Sequence, residues 1–418
     1  MLTVLALLIL ALPFQFTFQA DDYLFLRRTY GGAFFDISGY ESQMTRNPLL
    51  YIFMIPTFSS HLFDFHFAPM YLYFSIYVAG LSLCLRALHR DLALSRLGVE
   101  CSTVLNFLPL VCLNPNQAEV LFFPICMPYS VGIFALGGMA YCRRAWVKIF
   151  FMLVAFTMLE TFFLPALALL VVQNSASKPW KVRQFASPVG LWTLAVVLIL
   201  VIRHALSYVF PSFHYPISID FSRLPGQLGE IAHMLITIYF YKINWVLTAV
   251  EWLAIGFLTY SLFSRHMIRK HDLGLLILLV LSCDVHVLIM PYSAMRAHFG
   301  AIFLEGVLLA FLLALVQARE KRLWLRRTMV ILFGLAFVLQ LVHVFTIKNA
   351  NYLVLQKIEN EMVQKIDSCT QPCHLHAGDL SRDLKRDWVL PRNFWLPYLE
   401  WIRFKNRPAA QVEFEISD

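Results

Sequence analysis

The sequence predicts an all-α polytopic membrane protein, and three observations lead to that fold class. Apolar residues make up 59% of the 418 residues and charged residues 14%, whereas a soluble domain is about half apolar and a quarter charged. The apolar residues form runs, most of them long enough to cross about 30 Å of hydrocarbon. Lys and Arg lie in short clusters between these runs, as they do in membrane proteins. The net charge of +8 therefore indicates no nucleic-acid partner, because such clusters form no single basic face.

The apolar runs divide the chain into a membrane domain at 1–348 and a polar tail at 349–418. They lie near 1–19, 67–85, 98–113, 122–141, 149–174, 189–209, 245–263, 273–291, 299–317 and 328–347. We interpret the first run as an uncleaved helix, because a basic segment is missing and a signal-peptide cut after Ala20 would place Phe18 where a small residue is preferred. Two long polar loops, 20–66 and 210–244, interrupt the runs.

The basic clusters set the predicted topology, since clusters of Lys and Arg favour the cytoplasmic side. They are Arg86/Arg90/Arg96, Arg143/Arg144/Lys148, Lys178/Lys181/Arg183, Arg265/Arg269/Lys270 and Arg319/Lys321/Arg322/Arg326/Arg327. Two of them flank the single run 149–174, which predicts a re-entrant hairpin there; a spanning helix with a misplaced basic loop is the alternative. Glu160 and Pro165 near the middle of the run suit a turn surrounded by protein or water. With re-entry, about nine helices span the membrane, the N-terminus is cytoplasmic, and both long loops and the tail lie outside.

The first outer loop begins with two adjacent carboxylates, Asp21 and Asp22, directly after the first apolar run. A carboxylate at this position suits a general base that deprotonates a sugar hydroxyl, and a like-charged neighbour raises the pKa of one of the pair. The alternative is that one of them caps a short helix at 22–30. Apolar stretches later in the same loop predict interfacial helices lying along the membrane.

Cationic side chains near the outer surface are candidate ligands for a lipid phosphate, which guanidinium groups bind through charge-assisted hydrogen bonds. The candidate substrate-binding residues are Arg27, Arg28, Arg46, Glu119, Glu160, Arg296 and His298. Each has a structural alternative: the arginines of the first loop can pair with lipid headgroups, Glu119 can cap a helix, and Glu160 can pair with Arg203 or His204.

Several kinds of site are missing from the sequence. It contains neither a Walker A pattern nor a Gly-rich dinucleotide fingerprint, which argues against direct binding of a nucleotide-sugar. Cys369 and Cys373 are followed by His374 and His376, but their spacing fits no standard zinc pattern. Outside the cytoplasm a disulfide is the more usual outcome for such a cysteine pair, so we predict no metal site.

The acidic pair after the first helix, the re-entrant segment around Glu160, the nine-helix layout with two large outer regions and the outer tail together carry a family resemblance. The chain resembles the serotype-converting O-antigen glucosyltransferases of enteric bacteria and their phages. These belong to the GT-C class, whose members use polyprenyl-phosphate-sugar donors. The resemblance covers the layout of the whole chain, whereas the matching sequence motifs are short.

This resemblance implies an enzyme of the bacterial inner membrane that acts on its periplasmic face. The donor would be undecaprenyl-phosphate-glucose, made by a partner synthase and turned outward by a flippase, and the acceptor a lipid-linked O-antigen polysaccharide. Asp21 or Asp22 would be the base, and Arg28 and Arg296 would stabilise the leaving phosphate. No cofactor or metal is required, although some members of the class use a metal.

Three other functions compete with the transferase. A flippase for lipid-linked oligosaccharide predicts inverted repeats and charged sites in several helices, and neither is evident. An O-antigen polymerase or ligase would be expected to have arginine-rich outer loops and more helices, but the second loop has only Arg223 and Lys242 as Lys or Arg residues. A membrane scaffold without activity would have no use for the paired carboxylates.

Overall fold

A computed structural model describes part of the chain. The described residues are 47–50, 52–53, 68–91, 99–108, 128–159, 162–175, 183–209, 256, 260, 274, 307, 310–311, 313–318, 321–324, 326–328, 331, 335, 338, 342, 346, 353, 356–357, 359–365, 367–368, 373–376 and 412–415.

The described residues are mostly helical, as the apolar runs predict. The helices are α1 (Ala68–Asp91), α2 (Cys101–Leu105), α3 (Tyr129–Tyr141), α4 (Ala145–Met158), α5 (Phe163–Ser175) and α6 (Arg183–Val209), and the strands are β1 (Cys373–His376) and β2 (Val412–Glu415). Helical backbone also occurs at 48–50 and 52–53, within the stretch predicted to form an interfacial helix.

Among the residues that the structure describes, two helices are long and apolar enough to cross a membrane: Leu72–Asp91 with 20 residues and Ala186–Val209 with 24. At 1.5 Å per residue they measure about 30 and 36 Å. The apolar stretch of α1 is 50% buried, whereas that of α6 is only 11% buried. Val197, Val201 and Val209 are among its exposed side chains. Because so much contiguous apolar surface is unfavourable in water, α6 supports association with a membrane.

Helices α1 and α3 pack closely because glycines meet where they cross. A Cβ atom on Gly80 would lie 2.6 Å from the Phe134 Cα atom, and one on Gly137 would lie 2.2 Å from the Gly80 carbonyl oxygen. The backbones thus touch directly, as small residues allow between membrane helices. Side-chain bonds from Arg90 to the carbonyls of Ala140 and Tyr141 join the two C-terminal ends, so the helices run in the same direction.

Helices α4 and α5 form the chain reversal predicted for 149–174. Helix α4 ends at Leu159, whose extended backbone (φ −160°, ψ 132°) breaks the helical hydrogen bonding. The Lys148 Nζ atom at the start of α4 donates a hydrogen bond to Gln173 Oε1 at the end of α5. The ends of the two helices that are remote from the reversal therefore meet. With 14 and 13 residues the helices are about 21 and 20 Å long, short of the hydrocarbon thickness. The chain reversal that re-entry requires is thus present, and re-entry into a membrane stays a prediction.

The hairpin packs against α3, again at glycines. The Phe162 ring occupies the space beside Gly132, and the Phe151 ring occupies the space beside Gly138. Helix α3 is therefore enclosed by α1 on one side and by the hairpin on another, and nearly all its side chains are buried.

The described structure differs from the predicted helices in the run 98–113. Helix α2 ends at Leu105, and a turn follows in which the Phe107 N–H bonds to the Val104 carbonyl three residues back. Ser102, Thr103 and Asn106 favour an early end, since Ser, Thr and Asn have low helix propensities. Asn106 itself keeps helical φ and ψ (−63° and −22°), Leu108 is helical again, and residues 109–113 lie outside the described part.

The polar tail contains two short strands, which the prediction from the apolar runs does not include. Strand β1 pairs in parallel with β2, with Cys373 opposite Val412 and His376 opposite Glu415. Both segments alternate apolar and polar residues over four positions, which is the period of a strand. The 35 residues between the end of β1 at His376 and the start of β2 at Val412 form the connection. Because the strands are parallel, this connection must be a crossover.

Replacing Gly80 or Gly137 by Ala is expected to destabilise the protein by about 1–3 kcal/mol, because each new Cβ atom meets backbone that cannot move aside. Gly190 on α6 is the matched control, since its Cβ atom would meet nothing within 4 Å. Gly190→Ala should leave stability unchanged or raise it by up to about 1 kcal/mol. Thermal unfolding of the full chain in detergent measures all three, and equal behaviour of the three variants would contradict the crossing.

Candidate functional site

All the predicted catalytic and substrate-binding residues lie outside the described residues. They are Asp21, Asp22, Arg27, Arg28, Arg46, Glu119, Glu160, Arg296 and His298. Their roles therefore stay predictions. The structure does describe residues close in the sequence to two of them, Arg46 and Glu160.

The end of the first long loop is attached to helix α1. The Tyr73 hydroxyl donates a 2.5 Å hydrogen bond to the Phe53 carbonyl, and Leu50 is buried. Asn47, the residue after Arg46, is also buried, and its Oδ1 atom accepts no hydrogen bond from a described residue. The segment that follows the predicted loop site is thus anchored on the helix bundle.

A second neighbour of the predicted site is Arg203 on α6. Its Nη2 atom lies 3.5 Å from the carbonyl oxygen of Phe156, in the last turn of α4 and four residues before Glu160. His204 instead bonds to the Tyr208 hydroxyl at 3.2 Å. Of the two partners considered for Glu160, Arg203 is therefore the one that reaches the hairpin beside the reversal.

The best-described polar cluster lies at the opposite end of the hairpin, around Asp91. Arg90 donates two hydrogen bonds to the Asp91 carboxylate, at 2.8 and 3.2 Å, and Arg143 donates one at 3.4 Å. The Asp91 side chain is only 4% exposed, whereas Arg143 is 65% exposed. Two basic clusters predicted to share the cytoplasmic side thus meet at one carboxylate.

The same cluster caps the C-terminal end of helix α3. The last carbonyls of a helix lack partners within it, and here Arg90 donates to Ala140 at 3.2 Å and to Tyr141 at 2.9 Å. Gln173 donates to Ala140 at 3.0 Å and to Cys142 at 3.4 Å. A cation at this end also complements the helix dipole.

Lys148 completes the cluster by bonding to Gln173 across the hairpin. Partial burial lowers the pKa of Lys148, and the nearby carboxylate of Asp91 opposes that shift. Lys148, Gln173 and Asp91 together link α4, α5 and α1 to the end of α3. These bonds fix the relative position of the helices, so the cluster has a structural role. We call Arg90, Asp91, Arg143, Lys148 and Gln173 the clamp.

Sequence reasoning did not single out Asp91 or Gln173. The available signal was weak: Asp91 is the lone acid among Arg86, Arg90 and Arg96, and Gln173 ends an apolar run. No group of three or more metal-ligating side chains occurs among the residues that the structure describes.

Comparison with known proteins gives no relative. No family model matches the chain, no curated protein matches it, and no solved structure matches it. The family resemblance therefore stays an expectation carried by the short motifs and the layout.

Asp91→Asn is expected to destabilise the protein by roughly 1–3 kcal/mol, because it leaves two guanidinium groups without their counter-charge. This is less than for a fully buried pair, since Arg143 is largely exposed. Glu100→Gln is the matched control: Glu100 is exposed, and its carboxylate accepts a bond from nearby Ser102. Unfolding in detergent should shift clearly for Asp91→Asn and by less than about 1 kcal/mol for Glu100→Gln. Equal shifts would contradict the clamp.

Proposed function

We propose that the chain is a glycosyltransferase of the bacterial inner membrane. It moves a hexose, with glucose the best fit, from undecaprenyl-phosphate-sugar to a lipid-linked O-antigen polysaccharide on the periplasmic face. The observation that carries the proposal furthest is the α4–α5 hairpin, because a re-entrant segment at this place is part of the layout that the family resemblance implies.

The ends of the hairpin that are remote from the reversal support the proposed orientation in the membrane. The Arg90 and Arg143 clusters meet at Asp91, so both lie at one end of the bundle, and the positive-inside rule favours the cytoplasm for that end. The reversal near Leu159 then points toward the periplasm. We propose about nine spanning helices, a cytoplasmic N-terminus and a periplasmic tail.

The proposed reaction needs one base and one cationic site. Asp21 or Asp22 accepts the proton of the acceptor hydroxyl, and the hydroxyl oxygen bonds to C1 of the donor sugar. The bond from C1 to the phosphate oxygen breaks, and polyprenyl phosphate leaves with the electron pair. Phosphate is a good leaving group, so no general acid is obligatory. Arg28 and Arg296 stabilise its charge, as preorganised cations do for developing negative charge.

The remaining candidates act in binding. Arg27 and His298 lie next to the proposed cationic site in the sequence, and Arg46 lies in the same predicted loop as Arg28. Glu119 and Glu160 can accept hydrogen bonds from sugar hydroxyls. Arg203 supports a role for Glu160 near the reversal, because its guanidinium group contacts the preceding turn of α4. Membrane lipids, a synthase and a flippase are the expected partners.

The proposal predicts a mass change in the O-antigen repeat. The protein is expressed with a polyprenyl-phosphate-sugar synthase and a flippase in strains of known O-antigen, and the repeat-unit mass should rise by one hexose residue. At least one of Asp21→Asn and Asp22→Asn should lower the modified fraction or rate by roughly 100-fold or more.

Asp36→Asn, in the same predicted loop, is the matched control and should retain activity. An unchanged repeat mass across several acceptors would reject the transferase. A modified repeat that persists at full rate in both Asp21→Asn and Asp22→Asn would reject only the assignment of the base.

A further inference from the structure

The start of helix α4 carries exposed cations directly beside exposed aromatic rings. The Arg143 side chain is 65% exposed and Arg144 is exposed as well. Trp146 is 67% exposed and Phe150 is 57% exposed. Because Trp146 and Phe150 are four residues apart, they lie on the same side of α4 and one turn from each other. Arg143 and Arg144 directly precede the first turn of α4, so the order along this exposed segment is cation, indole and phenyl ring.

This face has a surplus of positive charge. Asp91 is the carboxylate of the neighbouring clamp, and Arg90 already donates two hydrogen bonds to it. Arg143 adds one bond at 3.4 Å, which leaves most of its five donors unused. Arg144 makes no side-chain hydrogen bond to the residues that the structure describes. Two guanidinium groups thus keep capacity for an external anion.

The Phe150 ring packs against rings that connect α4 to α3. The Phe150 ring contacts the Phe151 ring edge-on at 5.6 Å, and Phe151 contacts Phe134 of α3 at 6.3 Å. Phe151 also fills the space beside Gly138. The exposed Phe150 ring therefore packs against half-buried rings, and a ligand would bind with little further ordering of this turn of α4.

We propose that this Arg–Trp face, made of Arg143, Arg144, Trp146 and Phe150, binds an anionic phospholipid of the cytoplasmic leaflet. The guanidinium groups bind the headgroup phosphate, the indole lies at the boundary between headgroups and acyl chains, and Phe150 contacts an acyl chain. Charge complementarity selects an anionic over a zwitterionic headgroup. The proposal rests on the membrane orientation proposed above and not on the proposed reaction.

Such a lipid would tether the short hairpin to one leaflet. Helix α4 is about 21 Å long, so the hairpin is not fixed by emerging on the far side of the membrane. A headgroup held at its first turn would keep its depth constant while the clamp around Asp91 keeps it against α3.

Native mass spectrometry of the full chain in detergent tests the proposal. Phosphatidylglycerol and phosphatidylcholine with identical acyl chains are offered in equal amounts, and phosphatidylglycerol should be retained preferentially. The double variant Arg143→Gln/Arg144→Gln should bind phosphatidylglycerol roughly 10- to 30-fold more weakly.

The double variant Lys357→Gln/Lys365→Gln is the matched control, since it removes the same charge from a helical segment of the tail; it should bind like the unmodified protein. No preference for phosphatidylglycerol, or equal weakening in both double variants, would overturn the proposal.

A second measurement needs no variant and so remains valid if the arginine variant does not fold. Phosphatidylglycerol with a photoreactive acyl chain is bound to the unmodified protein, irradiated, and the labelled peptides are identified. Labelling concentrated on residues 141–158 supports the Arg–Trp face. Labelling that is absent there, or no stronger there than along α6, overturns it.

Discussion

The carbonyl oxygens at the C-terminal end of helix α3 need partners from outside the helix, and the described bundle is arranged around that need. Arg90 supplies donors from α1 and Gln173 supplies them from α5. Asp91 then balances the charge of Arg90 and also binds Arg143. One capping requirement thus connects three helices that are far apart in the sequence, and it brings two basic clusters to one end.

Small residues on α3 explain how its neighbours come close enough for this capping. Gly137 lets the backbone of α1 approach at Gly80, while Gly132 and Gly138 leave room for the rings of Phe162 and Phe151 on the hairpin. The close crossings set the spacing of the helices, and the polar clamp limits their displacement along the axis. Helix α6 adds an exposed apolar surface suited to lipid.

The hairpin was predictable because two basic clusters flank a single apolar run. The positive-inside rule places both clusters on one side of the membrane, and a chain reversal within the run is the arrangement that allows this. The clamp was not, since a lone acid such as Asp91 or a glutamine such as Gln173 has many possible partners until the helices are placed. The early end of α2 at Leu105 and the pairing of β1 with β2 depend on local helix propensity and on long-range pairing, which apolar runs do not encode. The proposed catalytic residues Asp21 and Asp22 rest on the sequence.

The central claim is that the two ends of the hairpin share one membrane face, and cysteine labelling tests it most directly. In a chain whose eight native cysteines are replaced by serine, Ala145→Cys and Ser177→Cys each provide one reactive site. A membrane-impermeant maleimide should label both positions in inside-out vesicles and neither in right-side-out vesicles. Labelling of the two positions from opposite faces would show that the segment crosses the membrane and would contradict the account.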